Sequence, residues 1–369
     1  MAGFAGSGKS CGPESTLEPS MSDLSVEYLG LKLKNPLIVA SSGLTRNAQL
    51  IGQCEAAGAG AVVMKSIFEE DIRRRDNSFT DFLATHPEAS GYFEAEVGLV
   101  YGAHQYCEEI KKAKAQVKIP VIASVNCANP RWWLDYAVQL EGAGADALEI
   151  NLSIPDVNPA VSGSDYEGTF QEIVSAVRSR IKIPLAVKMS GQLTAPQNMA
   201  QKLVHSGADA LVIFNRQSGL DINLNTRRAF SSKGDQGLST PHSIYYPLRW
   251  VTILHEMLPA IRISASGGVH SVESFIKYLM AGASTVQVCS LLYRKGLKEI
   301  GALLEGLEAF LRRQGIKSVE ELRGSVLRDL PVGTREQQRL EYIQLSEGHY
   351  LEVDSTDGGG LTFESHPKD

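Results

Sequence analysis

The stretch IKIPLAVKMSGQLTAPQNMAQKLVHSGADALVIFN (181–215) holds one complete folding unit. A proline opens a short run of Leu, Ala and Val, an amphipathic segment follows at 195–206, and Ser-Gly-Ala then leads into a second apolar run. Proline is tolerated as a strand's first residue, and glycine just past a helix supplies the left-handed cap. Each apolar run is nearly continuous rather than alternating, the pattern of a parallel strand covered on both faces. The unit reads as strand, helix, parallel strand.

Outward from it the same unit recurs along the chain. Proline entries open KNPLIVASSG (34–43), VKIPVIASVN (117–126), IKIPLAVKMS (181–190) and LPAIRISASGG (258–268). Glycine entries open AAGAGAVVMKS (56–66), EGAGADALEINLS (141–153), HSGADALVIFN (205–215) and MAGASTVQVCS (280–290). The two kinds alternate four times over, with amphipathic helical segments at 131–143, 167–180, 195–206 and 271–281. Eight such units predict an α/β fold of the (β/α)8 TIM-barrel type, with an open doubly wound sheet as the competing arrangement. Two excursions interrupt the rhythm: residues 67–118 after strand 2, and 216–257 after strand 6, the latter carrying Gly219, Gly234 and Gly237 before a helix around PLRWVTILHEM (247–257). Both leave the C-terminal ends of strands, where barrel active sites lie, and are candidate lids or substrate walls.

Composition bounds the function. The 369 residues are 43% hydrophobic and 21% charged with a net charge of −6, and no dense basic stripe suggests a nucleic-acid partner. No apolar run reaches the 18 or so residues of a membrane-spanning helix. Five separated cysteines without a CxxC pair fit a reducing cytoplasm better than a disulfide framework, a zinc site or an iron–sulfur centre. No metal site is expected. Residues 1–20 read as a disordered extension, 21–330 as the barrel, and 331–369 as a peripheral tail with one polar helix at 334–346. GFAGSGKS (3–10) matches the phosphate-loop pattern, but no apolar strand precedes it and Cys-Gly-Pro follows where its helix should run, so it reads as a chance match.

In a barrel the strand ends share one rim. That rim holds Ala40 and Ser41, Lys65 and Ser66, Ser124 and Asn126, Asn151 and Ser153, Lys188 and Ser190, Asn215, Gly267 and Gly268, and Cys289 and Ser290. Two lysines inside otherwise apolar strands need either an anionic ligand or a path out to water, because an unpaired buried ammonium is costly. The glycine pair of SASGGVHS (264–271) precedes a helix, allowing close backbone approach and offering N–H groups to an anion. Loops after strands 7 and 8 often form the phosphate site of such barrels.

The set NPLIVASSG, VVMKS, ALEINLSIPDV, PLAVKMS, SASGGV and STVQVCSLLYRKG resembles the dihydroorotate dehydrogenase family, in order and spacing, across roughly residues 24–325. FNRQSGLDINL, STPHSIYYPLRWVTIL and ELRGSV look closer still to its bacterial dihydroorotate dehydrogenase-like branch. The resemblance implies an FMN cofactor with its phosphate on Gly267, Gly268, Cys289 and Ser290, and Lys188 near the N1/C2 carbonyl edge, where its charge favours the anionic reduced flavin. It implies Ala40, Ser41 and Ser66 along the ring, with Ser124 in the same set. Lys65, Asn151 and Asn215 would face ring and substrate, Lys65 holding a substrate carboxylate. It further implies an anionic small-molecule substrate, a soluble electron acceptor or partner subunit, and is compatible with a homodimer.

One family feature is missing. The family's base, Cys or Ser, sits in an N-[LIV]-S-[CS]-P-N motif after strand 4 and takes a proton from one substrate carbon while hydride leaves the next. Here the motif reads Asn151-Leu152-Ser153-Ile154-Pro155-Asp156, and Ile154 cannot accept a proton. The N-x-x-G-[LF]-x-N substrate pattern is also not visible in 67–118. Ser153, Asp156 or Cys127 takes over as base, or the substrate differs, or FMN is bound without that chemistry. Lys65, Asn151 and Ser153 are the candidate catalytic residues. A cofactor-free Schiff-base lyase or aldolase using Lys65 or Lys188, and a non-catalytic flavin-binding protein, are the other classes.

Overall fold

The computed structural model describes residues 22–68, 103–126, 130–152, 158–216, 219–231, 237–328, 339–340 and 342–343. Eight parallel strands close on themselves: β1 (Leu37–Val39), β2 (Ala61–Val63), β3 (Val121–Asn126), β4 (Ala147–Leu152), β5 (Leu185–Met189), β6 (Ala210–Ile213), β7 (Arg262–Ser266) and β8 (Thr285–Val288). Closure comes from β8 pairing β1, with Val286 opposite Leu37 and Val288 opposite Val39. The chain is a (β/α)8 barrel, as the alternation predicts, and the open sheet is excluded. Ile67–Phe68 prolongs the wall beyond β2 by pairing with Val125 and Asn126.

Helices follow the strands: α1 (Ala48–Ala56), α2 (Ala103–Gln116), α3 (Pro130–Gly142), α4 (Gly163–Arg178), α5 (Pro196–His205), α6 (Tyr245–Met257), α7 (Val272–Met280), α8 (Ser290–Lys295) and α9 (Glu299–Gln314). The proline entries have a physical rationale at the barrel's lower end. Glu55 of α1 accepts from the Lys118 and Ile119 amides through one carboxylate oxygen, and Glu141 of α3 accepts from those of Lys182 and Ile183 in the same way. Pro120 and Pro184 follow with no N–H to satisfy, so each entry is fully paired before its strand begins. Asp146 and Asp209 then accept from Val121 and Leu185, fixing where β3 and β5 start.

A hairpin ahead of β1, Val26–Tyr28 with Leu31–Leu33, covers this lower end. Leu29 and Gly30 both take positive φ in its turn, at 56° and 67°. Its Tyr28 ring is buried, close enough to Glu149 and Ser264 to feel both, and burial raises the phenol far above its usual range. The excursion after β6 contains an exposed antiparallel hairpin, Leu220–Asn223 with Arg228–Ser231, then a 3-10 turn at Pro241–Ile244 leading into α6. Neither hairpin is legible from the strand rhythm. Residues 1–21, 69–102 and nearly all of 329–369 lie outside the described residues, and with them the extension, most of the first excursion and most of the tail.

Candidate active site

The rim carries a built polar layer that reaches down into the barrel. Side chains alternate along a strand, so Glu149 and Asn151 share the inner face of β4. Asn151 lies opposite Lys188 of β5, and Glu149 opposite Ser124 of β3. From β5 the Lys188 Nζ donates to Gln287 Oε1 of β8 at 2.9 Å, and Gln287 Nε2 donates to Glu149 Oε2 at 2.6 Å. Lys188 Nζ also stands 3.8 Å from Glu149 Oε1. The three side chains are nearly fully buried, at 7%, 2% and 1% exposure for Lys188, Gln287 and Glu149, so the triad spans the barrel interior.

Lys188 therefore has an internal partner, which neither sequence alternative for it foresaw. A separation of 3.8 Å gives an attraction of about 4 kcal/mol at an effective dielectric near 20. Desolvating each ion costs several kcal/mol, so the pair serves to hold the ammonium in place more than to stabilise the fold. Glu149 Oε1 and Asn151 Oδ1 are buried without a hydrogen-bond partner among the described residues. An unmet acceptor beside Lys188 and below the rim calls for a donor from a ligand.

On the β1 and β2 side a chain of hydroxyls runs inward. Ser41 Oγ and Ser66 Oγ lie 3.0 Å apart, Ser66 and Ser124 2.7 Å, and the Ser66 amide donates to Ser41 Oγ at 2.8 Å. Tyr106 of α2 receives the Ser124 amide at 3.0 Å. Ser124 has no exposed surface, so it reaches the rim only through Ser66. Ala40 is held by its amide on Val288 O at 3.0 Å, which joins the ends of β1 and β8. Lys65 is half-buried, its ammonium 5.2 Å from the Phe68 ring centroid, a cation–π contact that keeps it at the rim.

The adjoining β7 and β8 side carries a double-glycine turn. Gly267 and Gly268 adopt φ of 101° and 69°, the left-handed region that favours glycine. A Cβ on Gly268 would sit 2.3 Å from the Ile244 nitrogen, so only glycine lets these two backbones meet. Tyr278 OH donates to Gly267 O at 2.7 Å, which turns the Gly268 N–H of that planar peptide away from Tyr278. Ser271 caps α7 just beyond. Ser290 Oγ accepts from the Ser239 amide at 2.9 Å and from Ser239 Oγ at 3.0 Å, and Ser239 Oγ is 3.3 Å from His270 Nε2. Burial lowers His270 from its ordinary value, and the Arg294 and Lys295 charges add to that. Cys289 lies between the two halves of the site: burial pushes its thiol up, against the pull of Ser42, Lys188 and Arg216. Arg216 is lowered by burial and by Arg294.

The structure thus brings Ala40, Ser41, Lys65, Ser66, Asn151, Lys188, Gly267, Gly268, Cys289 and Ser290 to one end of the barrel, with Asn215 tied there by its amide on Met189 O at 2.7 Å. Ser153, Ile154, Asp156 and Cys127 lie outside the described residues. Sequence reasoning missed Glu149 and Gln287, although each is a polar residue inside a largely apolar strand. It also missed Ser239, His270, Arg216 and Arg294, which only the fold brings to the loops after β7 and β8. Among the described residues no helix is long and apolar enough to cross a membrane, and no group of three or more His, Cys, Asp or Glu could hold a metal ion.

Comparison with known proteins agrees with this geometry. The profile of the family described as dihydroorotate dehydrogenase matches residues 23–311. The chain is 31% identical over 311 residues to a protein of Thermoplasma volcanium named dihydroorotate dehydrogenase B (NAD(+)), catalytic subunit, covering 84% of this chain and 100% of the relative. A protein of the same name from Methanosarcina acetivorans is 32% identical, covering 80% of this chain and 93% of its own. A putative dihydroorotate dehydrogenase A (fumarate) of Aquifex aeolicus is 29% identical, over 82% and 98%. A closed barrel with a polar, glycine-edged rim, matched along most of its length by these oxidoreductases, belongs to the dihydroorotate dehydrogenase family of flavin-dependent enzymes.

Proposed function

We propose that the chain is an FMN-dependent oxidoreductase that acts on a carbon–carbon bond of a small anionic heterocycle, with dihydroorotate the reference substrate. The observation that carries this reading is the buried Lys188 ammonium beside Asn151, whose Oδ1 has no partner among the described residues, at the same barrel end as the Gly267-Gly268 turn. A cationic edge, an open acceptor and an anion cradle at the same barrel end match the parts of FMN. Gly267, Gly268, Cys289 and Ser290 would hold the phosphate, Lys188 the N1/C2 edge, and Ala40, Ser41 and Ser66 the ring. Bound FMN would supply a two-electron acceptor.

The chain's own groups do the rest. Lys188 places a fixed positive charge where negative charge develops, pre-oriented by Gln287 so that no reorganisation is needed during reaction. Lys65, retained at the rim against Phe68, would grip a substrate carboxylate, with Asn151 and Asn215 orienting the ring. Proton removal falls to the loop after β4, where Ile154 replaces a proton acceptor and Ser153 is the adjacent hydroxyl. Electrons would leave to a soluble acceptor or a partner subunit, in keeping with the NAD(+), fumarate and catalytic subunit in the relatives' names, and the cytoplasm is the compartment proposed for it. The Schiff-base alternative is disfavoured at Lys188, whose amine is committed to Gln287 and Glu149.

Anaerobic addition of dihydroorotate to the FMN-loaded protein tests the substrate. Bleaching of the flavin is the expected result, slow in the native chain and faster in Ile154→Cys. No bleaching in either protein would reject dihydroorotate. Lys65→Ala should keep flavin and lose substrate binding, and normal substrate binding by that variant would remove Lys65 from the site.

A further inference from the structure

We infer that Glu149, acting through Gln287 and Lys188, is a positioning residue that lowers the reduction potential of the site and so makes the reduced enzyme a stronger electron donor. The inference rests on the FMN reading above. Glu149 is a full carboxylate in the barrel interior, 1% exposed, and nothing in the proposed chemistry uses it. It has two connections to the ammonium: the relay through Gln287, with links of 2.6 Å and 2.9 Å, and a direct approach of 3.8 Å. The other titratable side chains shown to feel it are Tyr28 and Tyr106, phenols whose burial keeps them neutral, so Lys188 is the one cation shown close to it among the described residues.

A lysine alone under the flavin edge would present a full positive charge. With Glu149 beneath it the pair is close to neutral, so the site attracts an anion through one face of a dipole. Reduction takes FMN, two electrons and one proton to the anionic FMNH−, adding one negative charge at that face. The buried carboxylate repels that charge while Lys188 attracts it, and in a water-poor interior the repulsion is weakly screened. The chain therefore balances two needs. Lys188 keeps the reduced form bound, and Glu149 prevents it from being held so strongly that the electrons cannot move on.

Glu149→Gln separates charge from geometry, because a glutamine there can still accept from Gln287 Nε2. The measurement is a reductive titration of the FMN-loaded protein against a reference dye, with dithionite as the electron source. The expected result is a rise in midpoint potential of at least about 30 mV, a tenfold change in a two-electron equilibrium, with reduced FMN bound correspondingly tighter relative to oxidised. A yellow Glu149→Gln protein with the native potential overturns the inference and leaves the FMN reading intact. Should that variant fail to fold or load, Glu149→Asp supplies the test by drawing the carboxylate back from Lys188 while keeping its charge. It should raise the potential, and an unchanged or lower value overturns the inference. A native protein that takes up no FMN fells both.

Discussion

Lys188 and Glu149 stand or fall as a pair. Removing the ammonium leaves a buried carboxylate whose hydrogen bond among the described residues is from Gln287, and uncompensated buried charges cost about 3–5 kcal/mol. Lys188→Met should therefore lower the unfolding free energy by about that amount, as well as weaken flavin binding. Adding Glu149→Gln to it should restore at least half of the loss, because residues in one network couple rather than add. The check is a double-mutant cycle in urea unfolding. Independent, additive effects would show that the two side chains do not share the contact at 3.8 Å. Lys188 was legible as a residue of the barrel's rim layer because a lysine near the end of an apolar strand is conspicuous. Glu149 was equally conspicuous in ALEINL, but its partner lies on β8, 138 residues away, and no local pattern links the two.

At the scale of elements, the loop between β7 and α7 depends on close backbone contact. Gly268→Ala places a Cβ against the Ile244 backbone in a left-handed conformation, for a combined penalty of about 2–4 kcal/mol. The variant should also lose phosphate-end affinity, read as a raised FMN dissociation constant. Unchanged affinity would remove this loop from the cradle. The SASGG signature made the loop visible in advance, whereas its packing against the 3-10 turn at Pro241–Ile244 was not, since that turn belongs to an excursion with no periodicity to read.

Helix α6 offers a pH test at the other end of its length. The His255 ring is wedged between Gly282 and Gly324, where a Cβ would meet it at 2.2 Å and 2.3 Å. Burial lowers its value from 6.5, and Arg323 and Arg262 lower it further while Glu320 pulls upward. The folded state then binds fewer protons than the unfolded one, so stability rises with pH across this range. Its contribution is complete above the unfolded value of 6.5 and is lost as pH falls below it, and His270 acts in the same sense. Lowered carboxylates such as Glu320 act in a separate window, below 4.5. The urea midpoint should drop between about pH 7 and pH 5, and the drop should be shallower in His255→Gln. An equal slope in that variant would mean the wedge does not control the titration.

The whole molecule was the most legible level. Four proline entries and four glycine entries dictate eight strands, and eight parallel strands with helices outside close most readily into a barrel. The site's place followed from that closure, because the strand ends must share a rim. The internal charge layer, the hairpin under the barrel and the exposed hairpin after β6 were not legible. They depend on contacts between residues far apart in sequence, or on turns whose strands are only three or four residues long. The rim proposed as a flavin site is a product of the whole barrel, and colour reports on its occupant. The protein, purified and then incubated with FMN and desalted, should retain flavin absorbance at one equivalent per chain, and Lys188→Met should retain less. A protein that stays colourless after such loading would not carry a flavin site at this rim.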